Sequence, residues 1–300
     1  MSLRGLVLLA LVAFAALLGA RTASASELID RNATNVKLQV DKSGRALLTY
    51  RTRARVWRVV ATGAVNARPS HPTIRQLEFK LDYAGGWGLY RKEIWRTFKN
   101  ACAPYDGPEL AWFVLGCRAS DGSYWAVQSW QRMLPNYGLN PTAKQAVWEL
   151  RLSHWKGPLP ELSVKLDWAY RRYDHLYGTY AYLGHPIFGF RVTPTGNPLD
   201  TYGRNLYLDT YNSAYGPGWK RENSFLAQNP RGNFCYGFYP HGDRPSGKGE
   251  RYRATIIGPG VTPDVYWESD APGQYSRELD LVANEEQLTL AGDSKYCRPN

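Results

Sequence analysis

Short alternations of apolar and polar residues recur along this chain. Val36-Lys37-Leu38-Gln39-Val40 alternates strictly, and Asp41-Lys42-Ser43-Gly44 then supplies the residue types of a tight turn. Residues 45–60 follow as one long strand, so 35–60 are expected to form a hairpin. Residues 76–83, 109–117, 123–132 and 146–155 repeat the period of two, and 253–257 and 265–267 add further short strands. That period sends successive side chains to opposite faces of a sheet. The 28 Gly and 19 Pro are scattered rather than clustered, beside 11 Trp, 21 Tyr and 9 Phe, the composition of many strands joined by tight turns. The expected fold class is therefore all-β, of β-sandwich type, as two sandwich-like halves with little helix. Gly157-Pro158-Leu159-Pro160 is the best candidate linker, giving a basic N-terminal half at 26–160 and a C-terminal half at 161–300.

The first 25 residues depart from this pattern. A short basic start ending at Arg4 leads into an unbroken apolar run from Gly5 to Ala20, followed by the small residues Ala23-Ser24-Ala25. Those are the three parts of a secretory leader, with cleavage expected between Ala25 and Ser26. The apolar run falls short of the ~20 residues that span a bilayer, so the expected location is secreted or extracellular, with no transmembrane segment once the leader is removed. Four cysteines, Cys102, Cys117, Cys235 and Cys297, are an even number in an exported chain and point to two disulfides. Cys102–Cys117 and Cys235–Cys297 are the favoured pairing, because the first two flank one turn-rich loop and the last can staple the C-terminus. The absence of a CxxC or a nearby His pair argues against a metal site, and no cofactor is expected.

Charge alters the picture more than composition does. The formal net charge is +11, and it is unevenly spread. Residues 31–99 hold 15 Lys and Arg against Asp41, Glu78, Asp82 and Glu93, whereas residues 100–300 hold 20 basic and 20 acidic groups. Such asymmetry points to an anionic partner. Arg51, Arg53 and Arg55 recur at period two, which on a continuous strand places three guanidinium groups on one face. Trp87 and Trp219 each follow a Gly-rich turn and neighbour two basic residues, so both are candidate stacking residues for a sugar ring. Trp112, Trp125, Trp148 and Trp168 lie in strands and are read as core. For an exported protein nucleic acid is the weaker choice, and no recognition motif supports it.

Catalytic signatures are missing. There is no G-x-S-x-G, H-E-x-x-H, P-loop or dinucleotide fingerprint. His241-Gly242-Asp243 and the carboxylates Asp209, Asp264 and Glu268, which lie near aromatics, are groups that could serve an acid–base mechanism.

Gly178 through Gly189, with Gly184-His185-Pro186 at its centre, is followed by Asp200-Thr201-Tyr202-Gly203-Arg204. This resembles the G…G-x-P-x-x-G…D-x-x-G-R pattern of carboxypeptidase-regulatory-like, transthyretin-like β-sandwich modules over residues 178–208. The resemblance implies a sandwich in the C-terminal half and an accessory or binding role rather than catalysis. The expectation is an exported, non-catalytic binding protein contacting an anionic polymer or glycan through its basic N-terminal face. A polysaccharide hydrolase and a structural or protein-interaction module are the alternatives.

Overall fold

A computed structural model of the chain describes residues 26–68, 76–131, 147–169, 173–186, 206–213, 216–221, 224–228, 233–238 and 249–291. Residues 1–25, His241, Asp243, residues 200–203 and Cys297, to which the expected leader, acid–base pair, turn and second disulfide belong, lie outside them. The described strands build four antiparallel sheets. Sheet I runs β1 (Glu27–Arg31), β9 (Glu149–Trp155), β8 (Tyr124–Trp130), β7 (Phe113–Arg118) and β6 (Ala103–Pro104). Sheet II runs β2 (Thr34–Val40), β3 (Ala46–Thr52), β4 (Arg55–Thr62) and β5 (Lys80–Asp82). Sheet III runs β10 (Glu161–Ala169), β11 (Tyr173–Tyr182), β16 (Asn233–Phe238) and β15 (Ser224–Gln228), with β12 (His185–Pro186) paired to β11. Sheet IV runs β14 (Gly216–Arg221), β13 (Leu206–Ser213), β17 (Arg251–Ile256) and β18 (Val265–Asp270).

Alternation explains how the sheets stack. Leu48, Tyr50, Val59 and Ala61 of sheet II share a core with Ile29, Trp125, Val127, Leu150 and Leu152 of sheet I. Tyr180, Tyr182 and Phe234 of sheet III share another with Leu206, Leu208, Tyr252, Ala254 and Ile256 of sheet IV. The intervening residues of sheets I and IV then meet each other. Trp130 packs edge-on to Tyr207 with ring centres 5.0 Å apart, and the Trp112 indole donates to Thr255 Oγ1 at 3.3 Å. The layer order is therefore II, I, IV, III. All seven residues of β9 are buried as a result, since both faces of sheet I are covered. Trp125, Trp130 and Trp155 are wholly buried. At roughly 25 cal/mol per Å², a buried Trp contributes about 5 kcal/mol before conformational entropy is counted.

Several strand expectations are corrected. Residues 45–60 are not one strand: β3 ends at Thr52, and Arg53 and Ala54, at φ 48° and 61°, close a two-residue turn into β4. Two left-handed residues in succession give the hairpin turn whose twist matches the strands, without the Asn or Gly that would announce it. The 76–83 strand shrinks to Lys80–Asp82. The turn after β11 is Leu183-Gly184, with His185 and Pro186 already paired in β12. Trp148 is 45 % exposed rather than core.

Cys102 and Cys117 form a disulfide, as the spacing predicts. Cys235 on β16 is buried and disulfide-bonded. Three helices accompany the sheets among the described residues: α1 (Trp87–Tyr90), α2 (Ile94–Thr97) and α3 (Arg277–Ala291). Helix α3 packs on sheet III, where Glu286 accepts from Lys165 and from the Tyr177 hydroxyl. No described helix is long and apolar enough to cross a membrane.

Candidate functional site

The basic excess gathers at one end of sheet II. The β3–β4 turn sets Arg51 opposite Val56 and Thr52 opposite Arg55, with Arg58 opposite Thr49. Directly opposed residues share a face. Arg51, Val56 and Arg58 thus lie on the outer face of the sheet, and Arg55 and Trp57 on the face toward sheet I. Arg51, Arg53 and Arg55 therefore do not form a one-sided stripe, because the chain reverses between them. All three are nonetheless exposed around the same hairpin end.

Strand β5 pairs only with Val60, Ala61 and Thr62. Among the described residues, the edge of β4 from Arg55 to Val59 has no ladder on that side, apart from one bridge between Arg58 and Ala84. Beside this edge lies a groove of about 310 Å³, lined by Arg55, Val56, Trp57, Arg58, Tyr83, Ala84 and Trp95. Trp95 arrives there because the chain after β5 folds back on itself. The buried Asp82 carboxylate accepts from Ala84 N at 2.8 Å and from Leu89 N at 2.6 Å, fixing the loop. Gly85, at φ +65°, accepts from Trp95 N at 3.2 Å. A Cβ on Gly85 would stand 2.5 Å from Trp95 Cδ1, so glycine is what allows the ring to settle there.

The Arg58 guanidinium lies over the Trp95 ring at 4.0 Å, and that of Arg96 approaches the same ring at 5.0 Å. Arg96 is also paired with Glu93 at 2.5 Å. Arg51, Arg53, Arg55 and Arg58, by contrast, have no carboxylate within ion-pair distance among the described residues. A guanidinium pinned flat on an indole keeps its in-plane N–H edge free for oxygens of a carboxylate, sulfate or phosphate. Trp57, which also lines the groove, keeps its Nε1–H buried and without an acceptor among the described residues, so that donor is not accessible from the opening. Such a donor costs free energy unless something fills its valence. Tyr83 donates to Ile29 O at 3.0 Å, and burial together with Glu27 and Asp30 pushes its hydroxyl up to about 12. The groove thus presents cations, N–H donors and flat rings, with no ionised acid among its lining residues. Guanidinium groups and flat rings side by side are suited to contact with oxyanions.

Of the sequence candidates, Trp87 on α1 is 57 % exposed, close in sequence to the groove but not part of its lining. Trp219 is different. It sits in β14, not on a free turn, and its ring is taken up by the Arg253 guanidinium at 4.2 Å. Arg253 also lies 4.1 Å over Trp112, so one cation is held between two indoles. Asp209 pairs with Arg221 at 2.6 Å and with Arg253 at 3.5 Å, all three side chains being largely buried. This cluster joins sheets I and IV. It is a structural bolt, and the Trp219 ring face turned to Arg253 is unavailable to a sugar.

The acid–base candidates fare similarly. Asp264 is wholly buried and accepts from Trp130 Nε1 at 2.8 Å, from Gly258 N and from Ser26 Oγ. Glu268 is paired with Arg251. Asp209 and Glu268 flank Arg253 on one face of sheet IV, so the cation stands between the two carboxylates. A Ser–His–Asp contact does occur elsewhere: Ser123 Oγ is 2.6 Å from Asp121 Oδ1 and 2.9 Å from His154 Nε2. Here the hydroxyl lies between the acid and the imidazole, the reverse of a nucleophile–base–orienter order. Ser123 is also wholly buried, so no substrate reaches it. No group of three His, Cys, Asp or Glu among the described residues is arranged to hold a metal.

Sequence reading singled out the arginines but not Trp57 or Trp95. The signal that could have found Trp95 was Gly85-Gly86, a pair of glycines that lets the chain return on itself nine residues before it. Comparison with protein-family models, with curated proteins and with solved structures gave no match to this chain.

Proposed function

We propose that this is an exported, non-catalytic binding protein whose basic N-terminal groove holds an anionic polymer or glycan. One observation carries the reading: a groove of about 310 Å³ in which Arg55 and Arg58, neither paired with a carboxylate among the described residues, stand beside the Trp95 ring. Arg51 and Arg53 extend positive charge past the groove along the hairpin end, which suits a chain of repeated anions better than a single small ion. The resemblance of residues 178–208 to accessory sandwich modules points the same way. The test is retention of the chain from Ser26 onward on immobilised polygalacturonate, on polyphosphate and on neutral dextran, across a salt series. Retention on an anionic matrix falls with salt as exposed charges are screened. Replacing Arg55 and Arg58 together by Ala weakens it roughly tenfold or more, the loss expected when charged hydrogen bonds are removed. Equal retention on dextran, or binding unchanged by the double substitution, rejects the groove as the site.

A protein partner is the second reading. The observation favouring it is the outer side of α3, where Leu279, Leu281 and Val282 are each more than half exposed.

A further inference from the structure

Strand β1 begins one residue after the expected leader cleavage site, and that first residue is already anchored at two places, on β9 and on the segment before β18. Ser26 is wholly buried. Its carbonyl accepts from Arg151 Nη1 at 2.9 Å, on β9. Its hydroxyl donates to Asp264 Oδ1 at 3.3 Å, just before β18. The next residues pair at once, Glu27 opposite Leu152 and Leu28 opposite Arg151. Ser26 thus has no slack: where its carbonyl and side chain go, its nitrogen goes too. Covalent geometry keeps the Oγ and N of one serine within about 3 Å, so the α-nitrogen lies within roughly 6 Å of the Asp264 carboxylate.

Around this point the cations already have anions. Arg151 Nη2 donates to Glu149 Oε2 at 2.6 Å, and Arg31 Nη2 reaches Glu149 Oε1 at 3.3 Å. The Asp264 carboxylate accepts hydrogen bonds from, among others, the Trp130 indole, the Gly258 amide and the Ser26 hydroxyl. The segment is threaded through the molecule, with Gln128 of β8 exchanging two hydrogen bonds with the Asp264 backbone at 2.9 Å each. A charge gained at Ser26 is therefore felt where both sandwiches meet.

We propose that leader removal installs a buried terminal ion pair: the Ser26 α-ammonium seats against Asp264 and locks β1 to the junction of sheets I and IV. The inference rests on the leader reading. Hydrolysis of the Ala25–Ser26 bond adds water, leaving a carboxylate on Ala25 and an ammonium on Ser26 where the precursor has a neutral amide. The protein with residues 1–25 attached lacks that charge, so maturation and final stability are coupled at one atom. The same geometry makes the cut position exacting, because one or two extra residues move the ammonium out of reach of Asp264.

The experiment compares the chain beginning at Ser26 with the same chain preceded by Gly-Ser, each with Asp264 and with Asp264→Asn. The extension is expected to lower Tm by several degrees when Asp264 is present and to have little effect in the Asp264→Asn background, the non-additivity of groups in contact. In the chain beginning at Ser26, isotope-labelled N-terminal NMR is expected to show the α-amine titrating above its ordinary range of about 7.7–8.0. An extension cost that is equal in both backgrounds, or absent from both, overturns the ion pair. So does an α-amine with an ordinary titration, a result that stands even if the Asp264→Asn chain fails to fold. Intact-mass measurement of the exported protein separates the two premises: a terminus other than Ser26 rejects the leader reading, whatever the NMR shows.

Discussion

His154 makes acid stability the most quantitative property of this fold. Its imidazole lies stacked on Trp125, ring centres 3.8 Å apart and planes 15° off parallel, and the residue is 4 % exposed. Burial is the main cause that lowers it from 6.5 to about 4, outweighing the opposing pull of the Gly63 and Ala64 carbonyls and of Asp121. In the unfolded chain the imidazole takes its proton near 6.5, while the folded protein refuses one until pH reaches about 4. Stability is therefore complete above the unfolded value, is lost as pH falls from about 6.5 to about 4, and stays flat below that. The gap is worth about 3 kcal/mol in full, and about 2 kcal/mol is already gone at pH 5. For a chain of this size that loss lowers Tm by roughly 4–8 °C. Carboxylates titrate in the same window; Asp121, held low mainly by its Ser123 hydrogen bonds, is one of them. The informative quantity is thus the difference between wild type and His154→Gln, whose amide can still reach Ser123 without titrating. Urea unfolding from pH 8 to pH 4.5 should give two curves that close on each other by about 2.5 kcal/mol as the medium is acidified. Parallel curves across that range would refute the argument from burial.

Other substitutions probe separate parts of the structure. Asp209→Ala leaves Arg221 and Arg253 in a largely buried site without their counter-ion, and should cost about 3–5 kcal/mol in denaturant unfolding. Gly85→Ala places a methyl group against the Trp95 ring at φ +65°. It should cost about 1–3 kcal/mol by thermal unfolding and also weaken polyanion retention, since Arg58 loses its platform. Replacing Cys102 and Cys117 by Ser opens a loop of sequence separation 15, and should lower stability by about 3 kcal/mol without affecting the groove.

The strands were legible wherever one face is buried and the other wet, because burial then writes itself into every second residue. Val36 to Val40 is found as a strand close to where alternation puts it, and Tyr124 to Trp130 is found as well although both faces of its sheet are covered. Legibility stopped where the deciding contact is distant in sequence. Nothing near Trp219 announces that Arg253 will cover it, since that contact depends on β13 pairing with β14 on one side and β17 on the other. The Arg53-Ala54 turn was hidden for another reason: neither residue type favours positive φ, so the reversal comes from the strands it joins. In the candidate site, charge was readable and geometry was not. The arginine cluster shows in the composition of residues 31–99, whereas the bare edge of β4 exists because β5 is only three residues long.

The layer order bears on how the protein comes apart. Sheets I and IV are the inner pair, and the 258–265 segment inserts into the first sandwich, where Val261 O receives His154 N and Asp264 is gripped by Gln128. Separating the sandwiches would leave Trp130, Tyr207 and the Asp209 ion cluster facing water together. The two sandwiches should accordingly melt in one calorimetric transition, and a chain stopped at residue 160 should aggregate rather than persist as an independent domain.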